Sequence, residues 1–212
     1  MKRRRFIHTA LAGAAVLAGS GVSRAASDSL PQPAVEGSLQ HALENRRSTR
    51  AYAEGPLDEA ALAGLLWAGF GVNREDSGKR TAPSAHDSRE TDIYVAMANG
   101  LFRYDATSHS LDTIHTRDIR HLTGSQPFVD TAAANLVYVA DFDRMGRIED
   151  SRKPVIAAFT VGCICQNVAL YCAANGLGNV VRDWIDREAL RKEMSLTATQ
   201  HIMLAQTVGL PA

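Results

Sequence analysis

The feature that most constrains this chain is residues 154–173, a run of twenty positions without a charged side chain. A helix of that length is long enough to cross a bilayer. Gly162 and the adjacent amides Gln166 and Asn167 instead favour close packing inside a protein over contact with lipid. We therefore expect a central helix that is apolar nearly all round, and no membrane span in this region.

The same run contains the three cysteines of the chain, Cys163, Cys165 and Cys172. An odd number of cysteines so closely clustered is not typical of a disulfide framework. On a helix, Cys163 and Cys165 point to different faces, so they do not converge on a zinc ion or an iron–sulfur cluster. We expect no metal site.

The amino-terminal segment has the pattern of a cleavable export signal. Residues 2–5 are basic, residues 6–22 are mostly apolar, and small residues precede a cleavage point after Ala25. The sequence Arg-Arg-Arg-Phe-Ile at 3–7 resembles the twin-arginine signal, which serves a bacterial route that exports folded proteins. An ordinary secretory signal and an uncleaved amphipathic anchor are the alternatives. The signal predicts a periplasmic or secreted protein.

The chain has three expected parts: an export signal at 1–25, a flexible linker at 26–37, and one domain at 38–212. Cleavage removes the first of them. The signal contains five basic residues and no acidic one, so the formal net charge changes from zero to −5 on cleavage. Neither value gives the global basic field that promotes binding to nucleic acid. Nucleic acid is therefore not an expected partner.

Helix caps and strand signals predict an α+β fold. Ser38 and the acidic pair Asp58-Glu59 begin two helices, and Asn99-Gly100 predicts a tight hairpin between two strands. Residues 73–88 are expected to form a long polar loop of the kind that is often functional. The remaining predicted elements are strands at 93–97, 101–104, 136–140 and 202–208 and a helix at 186–194. These elements predict a central, mostly antiparallel sheet flanked by helices.

A basic cluster, Arg-Arg-Ser-Thr-Arg at 46–50, is the first candidate binding site. Guanidinium groups offer forked donors to phosphate oxygens, and Ser48 adds a hydroxyl group. A basic run at the end of a helix also complements the helix dipole while it lies in solvent. Taken alone, the cluster is compatible with both interpretations.

Further motifs follow the basic cluster in a fixed order. Leu-Leu-Trp-Ala-Gly occupies 65–69, Arg-Thr-Ala-Pro-Ser-Ala occupies 80–85, Gln-Asn occupies 166–167, and Gly-Leu-Gly occupies 176–178. Together these motifs resemble the flavin-dependent nitroreductase family over residues 39–211. Residues 100–105, followed by His109 and Leu111, are similar to the branch that includes the azoline oxidases.

The resemblance implies a nitroreductase-like homodimer with a long central helix and two FMN sites, each built from both subunits. Arg46 and Ser48 would lie toward the phosphate and the ribityl chain, and Arg50 toward the pyrimidine edge of the ring. Residues 83–85 would reach the flavin of the other subunit, and a backbone amide near Asp183 would contact flavin N5. The residues assigned to the cofactor are Arg46, Arg47, Ser48, Arg50, Pro83, Ser84, Ala85, Asn167, Arg182 and Asp183.

The chain departs from the family pattern at three places. His86 stands where the azoline-oxidase-like branch typically has glycine, and relatives usually have a glycine near the position of Asp183. No basic residue follows the last predicted strand, where relatives often have one that binds the phosphate. Arg182 and Arg80 are the candidates to replace it.

The function expected from the resemblance is an exported FMN-dependent oxidoreductase. It would transfer hydride or electrons through flavin N5, by a ping-pong mechanism, to a small conjugated acceptor such as a nitro compound or a quinone. His86 and Tyr94 are possible proton donors, and the electron donor is not assigned. The alternatives are a dehydrogenase or oxidase of the azoline-oxidase type and a non-catalytic flavin-binding or ligand-binding protein of the cell envelope.

Overall fold

The computed structural model describes residues 27–34 and 37–212, so the predicted export signal lies outside the described residues. Two helices come early in the chain, a run of strands follows, and helices and strands then alternate to the end, with short 3-10 turns in the connections. In chain order they are β1 (Ser27–Ser29), α1 (Leu39–Asn45), α2 (Glu59–Phe70), β2 (Val72–Arg74), β3 (Lys79–Arg80), β4 (Thr91–Met97), β5 (Gly100–Asp105), β6 (Ser110–His115), β7 (Ala134–Asp141), α3 (Lys153–Ala174), β8 (Gly178–Arg182), α4 (Arg187–Glu193) and β9 (Gln200–Gly209).

A seven-stranded antiparallel sheet in the order β1-β6-β5-β4-β7-β9-β8 forms the centre of the fold. Strand β7 lies inside the sheet between β4 and β9 and is buried from Ala134 to Ala140. It pairs with β4 over seven residues and with β9 over its whole length. The predicted α+β class, with a mostly antiparallel sheet flanked by helices, is confirmed.

The two faces of the sheet carry separate cores, because successive side chains of a strand point to opposite sides. On one face, Leu136 and Tyr138 of β7 pack with residues of α2 and α3 such as Leu65 and Ile164. On the other face, β7 packs against Leu190 of α4 and neighbouring residues.

The helix boundaries follow from local signals. The side chain of Ser38 accepts a hydrogen bond from the His41 amide at 3.1 Å and caps α1. Asp58 caps α2 and Asp186 caps α4 in the same way. These caps bind amide groups that have no partner in the first turn of a helix. The three predicted helix starts are confirmed.

Helix α3 is 22 residues long, as the uncharged run predicts. By length and composition the stretch Asp150–Ala174 is apolar enough to cross a membrane, and half of it is buried inside the protein. One stripe of α3 is nevertheless exposed and mostly apolar. It consists of Val155, Ala158, Phe159, Gly162, Cys163 and Gln166.

Several elements were not predicted. The expected loop at 73–88 contains the small hairpin β2–β3, and β6 and β8 were missed. Within the expected linker, Ser27–Ser29 pairs with β6 as an edge strand. The hairpin turn between β4 and β5 is Ala98-Asn99, because Met97 pairs with Gly100. Gly100 has another role, since a Cβ there would lie 2.4 Å from the His115 carbonyl oxygen at the β5–β6 bulge.

Candidate functional site

The basic cluster at 46–50 is fixed to the edge of the sheet. Arg46 caps the carboxyl end of α1, and the chain then runs beside β8. The Thr49 amide donates to the Asn179 carbonyl oxygen at 2.8 Å, and Ser48 forms a bridge to Asn179. A Cβ on Gly178 would lie 2.8 Å from the Thr49 side chain, so the close approach depends on this glycine.

Tyr52 holds the other end of the cluster. It is buried, it forms a bridge to Pro211, and its hydroxyl donates to the Thr49 carbonyl oxygen at 2.6 Å. Burial raises the pKa of Tyr52, so the hydroxyl stays protonated as a donor. Backbone bonds of Ala53 to Leu210 and of Ala212 to Ala51 add further support. The cluster therefore sits on a fixed segment between β8 and the end of β9.

The charged groups of this segment are free to bind a ligand. Arg46, Arg47, Ser48 and Arg50 are all exposed. None of the three arginines forms an ion pair within the described part of the chain. The hydrogen bond from Arg47 Nε to the Asn45 carbonyl oxygen, at 3.2 Å, leaves the end of that guanidinium group available. This donor set fits a phosphate, which prefers several cationic donors with a neighbouring hydroxyl.

Arg182 is not available to a cofactor, and the assignment of this side chain to the phosphate is wrong. It is buried and donates to Thr207 Oγ1 at 2.7 Å, to the Thr123 carbonyl oxygen at 2.9 Å and to Asn135 Oδ1 at 3.0 Å. Longer bonds to Thr123 Oγ1 and Gln126 Oε1 complete its shell. Burial without an acidic partner among the described residues lowers the pKa of Arg182 to about 10.

Residues 83–84 and the arginine cluster line different clefts within one chain. The cleft lined by Pro83 and Ser84 includes none of residues 46–50, and the cleft lined by Arg47 and Thr49 includes none of residues 83–85. The Ser84 hydroxyl donates to Glu90 Oε2 at 2.6 Å and accepts from the Arg89 amide at 2.9 Å. These two clefts of a single subunit therefore have no lining residue in common.

Glu90 is a residue of this region that the sequence analysis missed. Its side chain is fully buried, and Oε2 also accepts from the Ser88 hydroxyl at 2.9 Å. Together these bonds fix a loop in which His86, Asp87 and Arg89 have positive φ angles, between 48° and 56°. Such backbone strain persists only where surrounding contacts hold it. A glutamate before a strand looks exposed in sequence, so no signal marked it.

The remaining predicted site residues lie in different surroundings. Asn167 is half-buried in an apolar groove between α1, α2 and α3. Asp183 is exposed and forms an ion pair with Arg187. His86 is exposed and stays a candidate proton donor.

Tyr94 packs in the core formed by the sheet and α4, and burial raises its pKa. This placement favours a packing role for Tyr94 over proton donation to a substrate.

The cysteines are free thiols, and two of them are buried. Burial raises the pKa of Cys165 to about 12, so its thiol is not a nucleophile near neutral pH. In the part of the chain that the structure describes, no group of three or more metal-binding side chains could hold an ion.

The family model described as the nitroreductase family matches residues 43–210. This range contains the arginine cluster, the whole sheet except its edge strand β1, and α3. The chain belongs to the nitroreductase family. It is therefore an oxidoreductase by family membership.

Two proteins that are similar to this chain also carry a nitroreductase name. One is a protein of Ralstonia eutropha JMP134 that is provisionally named a nitroreductase. Its crystal structure superposes on this chain with a TM-score of 0.83, and the two sequences are 40% identical. The match covers 88% of this chain and 90% of that one. A provisionally named nitroreductase of Methanocaldococcus jannaschii, MJ1384, is 30% identical over 152 residues, which are 67% of this chain and 76% of the relative.

A more distant structure shares the nitroreductase fold. It is described as the NADPH:FMN oxidoreductase of Vibrio harveyi in complex with NAD+, with a TM-score of 0.61 and 18% identity. The match covers 82% of this chain and 68% of that one.

Proposed function

We propose that this oxidoreductase uses FMN, with Arg46, Arg47 and Ser48 toward the phosphate and Arg50 toward the pyrimidine edge of the ring. The observation that carries the proposal is the set of three exposed guanidinium groups, none ion-paired with a described residue, on a segment fixed against β8. The Vibrio harveyi protein, which has the same fold and is described as an FMN oxidoreductase, supports this choice of cofactor.

Bound FMN would supply two-electron chemistry at N5, which accepts hydride or electrons from a donor and passes them to a second substrate. The protein then needs no nucleophile of its own. A fixed cation at Arg50 stabilises negative charge at the pyrimidine edge. The Asp183 side chain is engaged with Arg187, so we assign the contact near N5 to the backbone of this segment.

The complete site requires a second copy of the chain. In one subunit, residues 46–50 and residues 83–85 do not line a common cleft. The exposed apolar stripe of α3, with Phe159 at 64% exposure, is the surface that we assign to the dimer. Pairing of two such stripes would bring residues 83–85 of one subunit toward the arginine cluster of the other.

We assign the reaction as a ping-pong transfer of hydride or electrons to a small conjugated organic acceptor, such as a nitro compound or a quinone. From the predicted signal we propose a location in the periplasm or outside the cell, where free nicotinamide donors are expected to be scarce. A protein or a quinol is then the expected electron donor. Desaturation of a substrate by oxidised flavin, as in the azoline oxidases, and flavin binding without turnover are the alternatives that kinetics would distinguish.

The test compares FMN binding by the parent protein and by the Arg50→Ala variant. We expect the purified protein to carry one FMN per chain, and Arg50→Ala to bind FMN at least about tenfold more weakly, because one charged contact is worth about 1.5–3 kcal/mol. Arg117→Ala is the control, since this exposed arginine is paired with Glu193 at another site. Titration of the apoproteins with FMN gives the dissociation constants.

Stopped-flow mixing of the loaded protein with candidate donors and acceptors separates the functions. Reduction by a donor followed by reoxidation faster than free FMN supports the oxidoreductase. A colourless protein that does not bind added FMN, or an Arg50→Ala variant that binds and reduces FMN as well as the parent, would contradict the assignment.

A further inference from the structure

A second group of cations lines a cleft beside the small hairpin β2–β3, outside the proposed FMN phosphate site. We call it the basic cleft, and its volume is about 620 Å³. It is lined by residues 81–84 together with Asn73, Arg74, Lys79, Arg80, Asp87 and Arg89. Four cationic residues and a single acidic residue thus line one space.

Most of this positive charge has no counter-ion in the part of the chain that the structure describes. Asp87 is bound to Arg89 at 2.7 Å. Arg74, Lys79 and Arg80 form no ion pair with any described residue. The acidic residues Glu75 and Asp76 lie in the turn of the same hairpin, yet they do not line the cleft.

Arg80 is held in place while part of its guanidinium group stays unpartnered. Nη1 donates to the Phe70 carbonyl oxygen at 3.0 Å, and the group lies 5.2 Å from the centre of the Phe70 ring. The Nε atom is buried without a hydrogen-bond partner. Arg74 Nη2 donates to the Arg80 carbonyl oxygen at 2.6 Å and stiffens the hairpin. These bonds therefore restrain Arg74 and Arg80, two of the four cationic residues that line the cleft.

Several other arginines of the described chain are ion-paired. Arg103 binds Asp112 at 2.8 Å, Arg120 binds Asp118 at 2.7 Å, and Arg144 binds Asp92 at 2.6 Å. Unpaired cations gathered around a concave space favour an anionic ligand, since a compact polyanion can bind several of them at once.

Two of the residues that line the basic cleft relate it to the reaction. Pro83 and Ser84 belong to the segment that we assign to the flavin of the partner subunit. We propose that the basic cleft binds a phosphate-type anionic group of the second substrate and so holds that substrate beside the flavin site. This inference rests on the proposed function for the identity of the reaction, but the anion site can be tested without turnover.

The experiment is a calorimetric titration of the purified holoprotein with inorganic pyrophosphate. We expect saturable binding of one pyrophosphate per chain. The double variant Arg74→Ala and Lys79→Ala should bind at least about tenfold more weakly, because it lacks two charged contacts. The matched control is Arg117→Ala with Lys192→Ala, which also removes two cations but from pairs with Glu193 and Glu188. The control should bind within about twofold of the parent.

The FMN content of each variant is measured in parallel. Absence of saturable binding, or equal weakening in both double variants, would overturn the anion site. Loss of FMN in the Arg74 and Lys79 variant would also overturn it, because these cations would then hold the cofactor itself. If the protein carried no FMN but pyrophosphate bound as expected, the proposed function would fail and the anion site would stand.

Discussion

At the scale of single residues, Gly124 is required by the buried position of Arg182. A Cβ at Gly124 would lie 1.9 Å from Arg182 Nη1, which is deep inside the van der Waals contact distance. The guanidinium group cannot move away without breaking its bonds to Thr123 and Asn135. A buried charge that loses hydrogen bonds is strongly destabilising. The backbone of Gly124 is extended, a conformation that any residue can adopt. The requirement for glycine at this position is therefore steric.

We predict that Gly124→Ala lowers the free energy of unfolding by about 2–4 kcal/mol. Gly146→Ala is the control, because Gly146 has a right-handed helical backbone and a Cβ there would come no closer than 4.0 Å to the Asp143 carbonyl oxygen. Urea denaturation of both variants measures the difference. Similar stability of the two variants would show that Arg182 is not fixed as described.

Residue roles were predictable only where they depend on local sequence. The exposed arginines at 46–50 follow directly from a basic run at the end of a short helix. Arg182 has the same side chain, but its partners Thr123, Asn135 and Thr207 come from three distant segments. The basic cleft could not be predicted from the sequence, because the acidic residues Glu75 and Asp76 lie next to Arg74 and Lys79 and balance their charge there. In the fold these two acidic residues do not line the cleft.

At the scale of elements, local signals determined the helices, and long-range pairing determined the strands. Helix α3 follows from its uncharged run, and α1, α2 and α4 follow from capping side chains. Strand β8 gave no comparable signal, because its stability comes from pairing with β9 and from contacts with α3. Strand β1 lies in a segment that resembles a linker and depends on β6 for its conformation.

His109 holds the chain that follows β1 against the sheet edge, and we predict that this attachment is sensitive to pH. The Pro31 carbonyl oxygen can only accept, so His109 Nε2 donates to it at 2.9 Å, and Nδ1 accepts from the Tyr104 hydroxyl at 2.8 Å. This arrangement needs the neutral ring. Burial lowers the pKa of His109 below its ordinary value of 6.5. The stabilisation is therefore complete above about pH 6.5 and is lost as the pH falls through the lowered pKa.

Hydrogen exchange measures this effect. Between pH 7.5 and about pH 5, the protection factor of the Leu30 amide, which donates to the His109 carbonyl oxygen, should fall relative to that of Val137 in the central strand. His109→Gln should remove the pH dependence, because glutamine does not titrate in this range. Unchanged protection of Leu30 across the range in the parent protein would contradict the role of His109.

At the scale of the whole molecule, the exposed stripe of α3 is the feature that a single subunit does not explain. Val155 and Phe159 are 54% and 64% exposed, and Gly162 has no atom near its Cβ position. Apolar side chains along one face of a long helix are costly in water and favour burial against a partner. Because the two parts of the proposed FMN site also line separate clefts in one subunit, dimer formation and cofactor binding should be coupled.

Phe159→Glu tests this coupling. We expect the variant to keep the fold, because Phe159 is exposed, but to sediment as a monomer at concentrations where the parent is a dimer. Its affinity for FMN should fall at least about tenfold, since residues 83–85 of the second subunit are no longer present at the site. Ile114→Glu is the control, because Ile114 is an exposed apolar residue of β6 away from α3. Sedimentation velocity and FMN titration are measured on all three proteins. A monomeric parent, or a monomeric variant that binds FMN with the parent affinity, would show that each subunit builds its site alone.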